Sequence, residues 1–253
     1  MSARVRRAVF LLAALGLAWL FAAAVLALPP SGQVAAPYGD RINARTVSLR
    51  QVSNSVGAVT FDFRGFDTLG EELIFFAAVM GVRVLLRPDA FEQEVHPVDH
   101  SAWRSPKRGS EAVLAGAGFL LPLSLLVTLY VIAHGHLTPG GGFQAGVMLG
   151  SMGALLYLAD RYALFRRVAS PEALDPVKSL AVAGFVAVGL LGLLVGGQFL
   201  QNVLPLGHYP SLASGGTLPL LNTLVGVEVG AGVAVILFEF LNQVLAVRIR
   251  EDV

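Results

Sequence analysis

Between two hydrophobic stretches, each long enough to span a bilayer, the chain reads Gly135-His136-Leu137-Thr138-Pro139-Gly140-Gly141-Gly142-Phe143-Gln144-Ala145-Gly146. Backbone that leaves a helix at membrane depth is costly unless protein or water surrounds it. Three glycines after a proline therefore predict a tight corner between two helices. Gly146, Gly150 and Gly153 then share one face of the next helix, where small residues let another helix approach closely. We interpret the stretch as a packed corner; an ordinary interhelical turn is the alternative.

The composition is that of a membrane protein. Hydrophobic residues make up 55% of the 253 residues and charged residues 14%, a balance that soluble domains do not show. Since the chain has no cysteine, disulfides, iron–sulfur ligation and thiolate metal sites are excluded. The net charge is +1 and the basic residues are scattered, so no nucleic acid partner is expected.

Apolar runs of about 20 residues, the length that crosses a hydrocarbon core of about 30 Å, predict an all-α polytopic protein with about six transmembrane helices. They cover residues 8–28, 68–87, 112–134, 141–159, 178–200 and 220–247. A cleaved signal peptide is the alternative for the first run. A retained anchor is favoured, because the run is longer than the usual h-region of about 7–15 residues.

These runs divide the chain into three parts. Residues 1–90 hold two helices and a polar connector, 91–110 form a hydrophilic cytoplasmic linker, and 111–253 hold four helices. Residues 47–52 within the connector alternate weakly, as a short strand or a surface helix does.

The basic residues predict the orientation, because cytoplasmic loops carry an excess of lysine and arginine. Four regions fall on one side of a six-helix arrangement, with Arg4, Arg6, Arg7; Arg87, Arg104, Lys107, Arg108; Arg161, Arg166, Arg167, Lys178; and Arg248, Arg250. The opposite side carries Arg41, Arg45, Arg50 and Arg64, all in the 29–67 segment. Both termini are therefore expected in the cytoplasm. The chain is expected to cross the cell membrane of a prokaryote, which is the inner membrane where there are two.

Ionisable residues within the spans are functional candidates, because an unpaired charge buried there costs several kcal/mol. Glu228 and Glu239 are eleven residues apart, about three helical turns, so both carboxylates project from nearly one face. Such a stripe suits a proton or cation path. A packing role for Glu228 and a solvated position for Glu239 are the alternatives.

The second span shows the same spacing between Glu72 and Arg83. Glu71 and Glu72 follow Asp67 and Thr68, either of which can cap the helix, and acids there favour the positive end of the helix dipole. Arg83 either snorkels to the membrane surface or pairs with a carboxylate of a neighbouring protein.

Two histidines flank Gly135 at the corner. His134 and His136 lack further metal ligands in pattern, so no zinc site or other metal is predicted. A proton relay and a hydrogen-bonded turn remain open. No nucleotide loop or nucleophile elbow is present, so neither a cofactor nor catalysis by this chain alone is predicted.

Two stretches carry a family resemblance. Residues 61–71, FDFRGFDTLGE, resemble the C-terminal end of the large A-type component of Mrp (Mnh) multisubunit cation/proton antiporters, a motif that is also a small separate subunit of membrane-bound hydrogenases. Residues 134–146, together with 221–222 and 226–232, resemble the B-type component of these antiporters and its hydrogenase counterpart. The chain looks like a natural fusion of the two.

The resemblance implies a membrane subunit of an ion-translocating complex related to complex I. It implies other membrane subunits as partners, including antiporter-like large subunits, with lipid around them and Na⁺ and H⁺ as the transported ions. By match, Asp67 and Glu71 belong to the first motif and Glu228 to the second.

Two functions follow as alternatives. In one, the chain contributes carboxylates to a cation/proton path; in the other, it is a structural adaptor that docks an antiporter-like module to a hydrogenase or other redox module. Convergence of Glu71, Arg83 and Glu228 on one hydrated cavity would favour transport. The candidates for ion translocation are Glu71, Glu72, Arg83, His134, Glu228 and Glu239.

The residues predicted to pack the helix corner are Gly140, Gly141, Gly142 and Gly146. We expect a positive φ at Gly141 or Gly142.

The orientation is testable by single-cysteine labelling, since the chain has no cysteine of its own. We expect Ser105→Cys to react with a membrane-impermeant maleimide only after the membrane is opened. Labelling from outside intact cells would reverse the predicted topology.

Overall fold

A computed structural model describes residues 3–28, 37–86, 110–159 and 162–251. These residues cluster into two compact units, Met1–Arg41 and Ile42–Val253. Every regular element in the described part is helical, which confirms the all-α prediction. The predicted linker 91–110 lies outside the described residues except for Ser110.

In chain order the α-helices are α1 (Ala3–Leu26), α2 (Pro37–Arg50), α3 (Ser55–Ala58), α4 (Gly65–Leu85), α5 (Glu111–His134), α6 (Gly142–Leu158), α7 (Tyr162–Val168), α8 (Pro171–Gly196) and α9 (Leu218–Glu251). A π-helical turn at Val59–Phe63 joins α3 to α4. The ambiguous stretch 47–52 is helical as far as Arg50.

Each predicted span corresponds to a helix: α1, α4, α5, α6, α8 and α9. Four of them (α1, α5, α8 and α9) are long and apolar enough to cross a membrane by length and composition. Helix α6 has 17 residues, and α4 carries Glu71, Glu72 and Arg83. The chain is thus a multi-pass membrane protein, and the number of crossings stays a prediction.

The starts of α8 and α4 differ from those predicted. Helix α8 begins at Pro171 and not at residue 178, because the Ser170 hydroxyl accepts a hydrogen bond from the Ala173 amide at 3.3 Å and proline suits the first helical position. Helix α4 begins at Gly65, so the predicted cap by Asp67 or Thr68 is wrong: Asp67 pairs with Arg64 instead. The Thr68 hydroxyl donates to the Thr60 carbonyl at 2.6 Å.

Helix α9 is the central helix of the larger unit, packing on α4, α6 and α8. It approaches α6 so closely that a Cβ added at Gly146 would lie 2.6 Å from the Cβ of Val229. One added at Gly150 would lie 2.5 Å from the Cβ of Val233. Since both contact positions advance together along the two chains, α6 and α9 run parallel.

The main apolar core lies where α9 meets α4 and α8. Its buried members include Leu69 on α4, Phe185 on α8, and Val225 and Val229 on α9. A smaller cluster around Phe165 packs α7 against the far ends of α6 and α9. Apolar packing therefore holds α9 against α4, α6 and α8.

Residues 135–141 join α5 to α6, and we call this end of the bundle the corner end. Positive φ occurs there at Gly140 (φ 128°), so the expectation of positive φ at Gly141 or Gly142 is wrong. Gly142 is required for a different reason: a Cβ there would collide with the backbone carbonyl oxygen of Asn222. The constraint on Gly142 is close approach between backbones.

We expect Gly142→Ala to destabilise the protein by about 1–3 kcal/mol, because the backbone of α9 must move to admit the methyl group. Gly116→Ala on α5 is the matched control, since nothing lies within 4 Å of an added Cβ there. The measurement is the thermal denaturation midpoint of each variant in detergent. Equal midpoints for the two variants would contradict the close approach.

Candidate functional site

Glu228 is the most deeply buried acid in the described part of the chain. Its side chain is 0% exposed, and neither carboxylate oxygen has a hydrogen-bond partner among the described residues. It lies on α9 between Val225 and Val229, which belong to the apolar core. A carboxylate in such surroundings is stable only when protonated or when a cation accompanies it.

The two adjacent glutamates of α4 face different ways. Glu72 is 2% exposed, whereas Glu71 is exposed. Leu69 and Val79, on the buried face of α4, flank Glu72 along the helix. The structure therefore places Glu72, and not the motif residue Glu71, inside the bundle.

Helices α4 and α9 meet side by side. A Cβ at Gly232 would lie 2.5 Å from Cε1 of Phe75 and 3.1 Å from Cγ2 of Val79. Further along, the Arg83 Nε donates to Oε1 of Glu239 at 3.3 Å. The partners advance in the same direction along both helices, so α4 and α9 are parallel.

At the end opposite the corner, four charged residues of three helices form a cluster: Arg83 of α4, Asp175 and Lys178 of α8, and Glu239 of α9. Arg83 pairs with Asp175 and with Glu239. Lys178 donates to Asp175 at 3.2 Å. Arg83 pairs with carboxylates of this chain, which neither of its two expected roles included. Glu239, for which a solvated position was the alternative, is only 15% exposed.

Lys178 is the residue that sequence reasoning misplaces most. The charge pattern assigns it to a cytoplasmic loop, yet it lies in α8 and is 0% exposed. Its ammonium sits 4.9 Å from the ring centroid of Phe76 and 3.7 Å from the Met80 sulfur. The signal for this is the Ser170-Pro171 helix start, which places Asp175 and Lys178 on one helix at i, i+3 spacing.

The corner histidines differ in exposure. His134 is half-buried, stacks on Tyr130 with ring centroids 4.1 Å apart, and its Nδ1 lies 3.1 Å from the Tyr130 carbonyl oxygen. His136 is 2% exposed, with Nε2 3.4 Å from the Ser211 carbonyl oxygen. Burial lowers the pKa of His136 below its ordinary value, which favours the neutral ring. The described residues contain no cluster of three or more His, Cys, Asp or Glu side chains that could hold a metal ion.

Two asparagines, neither predicted, hold the corner from opposite sides. The Asn222 side chain accepts from the Gly142 amide at 2.6 Å and donates to the Ile132 carbonyl at 2.8 Å. The Asn54 side chain donates to the carbonyls of Gly135 (2.7 Å) and Thr138 (3.1 Å). The corner is thus bound both by α9 and by the segment before α4.

The first aspartate of the FDFRGFD stretch is also held by distant residues. Asp62 forms an ion pair with Arg50 at 2.7 Å, and its side chain is 5% exposed. Asn202, from the loop between α8 and α9, donates to Asp62 at 2.9 Å. These bonds tie the FDFRGFD stretch to α2 and to the loop between α8 and α9.

Glu71, Arg83 and Glu228 do not converge, so the observation that would have favoured transport over the adaptor is not made. Glu71 is exposed, Arg83 belongs to the charged cluster, and Glu228 lies in the apolar core. Glu72 and Glu228 lie instead along the contact between α4 and α9, which we call the seam. Arg83 and Glu239 lie on the same seam about three helical turns further along.

Residues 113–235 match a family described as a domain related to the MnhB subunit of the Na⁺/H⁺ antiporter. An uncharacterized protein of Methanocaldococcus jannaschii is 28% identical over 207 residues, 74% of this chain and 76% of its own length. A Rhizobium meliloti protein described as a probable K⁺/H⁺ antiporter A/B subunit is 27% identical over 68% of this chain, which spans 18% of that longer protein.

Two solved structures share the fold. A chain of the membrane-bound sulfane sulfur reductase, an archaeal respiratory membrane complex, has a TM-score of 0.68 at 29% identity, with 94% of this chain and 98% of that chain covered. A chain of the Mrp complex from Dietzia sp. DQ12-45-1b has a TM-score of 0.59 at 23% identity, with 95% of this chain and 26% of that chain covered.

The asparagine that bridges three elements gives a stability test. We expect Asn222→Ala to cost about 1–3 kcal/mol for each backbone group that it leaves unsatisfied, the Gly142 amide and the Ile132 carbonyl. Thr223→Ala is the control, because Thr223 is exposed and its hydroxyl bonds only within its own helix. Comparable denaturation midpoints for the two variants in detergent would show that the bridge contributes little.

Proposed function

We propose, from the match of residues 113–235 to a domain related to the MnhB subunit of the Na⁺/H⁺ antiporter, that the chain is a transport subunit of an Mrp-type cation/proton antiporter or a related complex. In this role it supplies Glu228 to the path of the ions. The burial of Glu228 without a hydrogen-bond partner among the described residues carries the proposal.

The position of Glu228 argues against a packing acid. A buried carboxylate that only packs is normally hydrogen-bonded or paired, as Glu239 is with Arg83. Glu228 can instead take up a proton or a cation without breaking an existing hydrogen bond among the described residues. A group that exchanges the two can couple proton to cation movement.

The ions proposed are H⁺ and Na⁺. The family description names Na⁺/H⁺ antiport, whereas the rhizobial relative is named for K⁺/H⁺ antiport. Carboxylate oxygens accept either alkali cation, so a comparison of the two ions in transport assays decides between them.

The proposed partners are other membrane subunits, including antiporter-like large subunits, in the (inner) membrane of a prokaryotic cell with both termini cytoplasmic. Residues 47–90 are proposed to take the place of the C-terminal tail of the large A-type component. The bonds of Asn54 to the corner support this arrangement, because they join that segment to the MnhB-related domain.

A structural adaptor in a redox-driven complex is the second candidate. It is favoured by the likeness over nearly the full length of both chains to a subunit of a respiratory membrane complex. Purification of the tagged chain in mild detergent separates the two settings: redox subunits in the complex support a redox-driven parent, and antiporter-like subunits alone support a free-standing antiporter.

We expect Glu228→Gln to leave the complex assembled and to lower cation-dependent proton flux in inside-out vesicles by about tenfold or more, because the amide keeps the shape but neither titrates nor carries charge. Glu111→Gln, an exposed acid in the first turn of α5, is the control and should retain flux. Wild-type flux in Glu228→Gln at normal complex yield would leave the adaptor as the function.

A further inference from the structure

Helices α4 and α9 share a fixed register that relates their acidic residues. Arg83 meets Glu239, and Glu72 and Glu228 each lie eleven residues earlier on their own helices. In parallel α-helices, equal residue spacing is equal distance along the axis, about 16 Å here. The two glutamates are therefore at the same level of the bundle.

Both side chains also lie on the faces that the two helices turn toward each other. At 3.6 residues per turn, Glu228 is about 40° from Gly232 around α9, and Glu72 is about 20° from Val79 around α4. Gly232 and Val79 are in direct contact across the seam. Leu69 of α4 and Val225 and Val229 of α9 pack in one core at the same level.

We infer that Glu72 and Glu228 together form one two-carboxylate site for a monovalent cation that exchanges with protons, at the seam of α4 and α9. This inference rests on the proposed transport function and deepens it. Both side chains are at least nine-tenths buried, and the oxygens of Glu228 are without protein partners in the described part of the chain.

The chemistry of such a pair requires a bound positive charge. Two carboxylates at one level of a low-dielectric seam repel each other strongly when both are ionised. One proton shared between them, or one cation held by both, removes that repulsion. Exchange of a proton for an alkali cation then changes the occupant with little change in the net charge of the site.

Four other charged groups of α4, α8 and α9 pair with one another at a different level of the bundle. Arg83 and Lys178 face Asp175 and Glu239 in the charged cluster, and α6, on the other side of α9, has no charged residue. The pair is therefore left without a basic side chain as a fixed counter-ion in the described bundle, so the counter-charge has to be exchangeable.

The test uses inside-out vesicles that contain the assembled complex, with Glu72→Gln and Glu228→Gln compared against Glu71→Gln. Glu71 is the matched control, adjacent in sequence and exposed. We expect Glu72→Gln and Glu228→Gln each to lower Na⁺- or K⁺-dependent proton flux by about tenfold or more, and Glu71→Gln to stay within about twofold of wild type.

Labelling of the wild-type complex with dicyclohexylcarbodiimide, which attacks protonated buried carboxyls, gives a readout other than flux. Mass spectrometry is expected to find label on both Glu72 and Glu228. NaCl or KCl should protect both over one concentration range, and Glu72→Gln should abolish the protection of Glu228. If a variant fails to assemble, the labelling of the wild-type complex still tests whether Glu72 and Glu228 share one cation.

Two results together overturn the pair: loss of flux in Glu228→Gln but not in Glu72→Gln, and protection of Glu228 from carbodiimide by the cation that persists in Glu72→Gln. They leave the proposed transport function standing. Normal flux in both variants at normal assembly overturns the transport function as well. Loss of flux in Glu71→Gln comparable to that in Glu72→Gln overturns the assignment of the site to the buried glutamate.

Discussion

The approach of α6 to α9 is the constraint on which the larger unit depends. Glycines at 142, 146 and 150 remove the side chains that would hold the two helices apart, and Asn222 closes the contact by bonding both arms of the corner. Without a strong hydrophobic drive between helices in lipid, such close packing and interhelical hydrogen bonding supply the association. With α6 fixed along one side of α9, the opposite face of α9 packs on α4 and α8, and that face carries Glu228 and Glu239.

The bundle treats its buried charges in two ways. At the end opposite the corner, two basic and two acidic side chains from three helices are collected into one cluster, where each ion has a partner of opposite charge. Breaking such a set would leave an uncompensated charge, so the cluster opposes any shift of α4, α8 and α9 relative to one another. Glu228 has no comparable partner among the described residues. This contrast separates the residue suited to exchange from the residues suited to holding the helices in place.

The sequence predicted the helices well and the side-chain partners poorly. Long apolar runs and a proline–glycine corner are local signals, so all the predicted spans have helices at their positions. The hydrogen bonds of Asn54, Asn202 and Asn222 join residues 80 or more apart for the most part, and no local pattern announces such partners. Hydropathy began the span only at Lys178, and the count of basic residues assigned Lys178 to the preceding loop, although capping by Ser170 starts the helix at Pro171. Likewise, only the rotation of α4 about its axis tells Glu72 from Glu71.

The rotation of α4 about its axis is fixed by contacts at both ends of the segment that contains it. The segment 47–86 contributes to the bundle at both ends, through Asn54 at the corner and Arg83 in the charged cluster. Two anchors at separate heights fix the height of α4 against α9, and Gly232 against Phe75 and Val79 fixes its rotation. A carboxylate pair that spans two helices needs this precision, since a slip of one residue would turn Glu72 by about 100° away from the seam. The polar anchors at the ends of α4 thus serve the geometry of its middle, where Glu72 and Glu228 lie at one level.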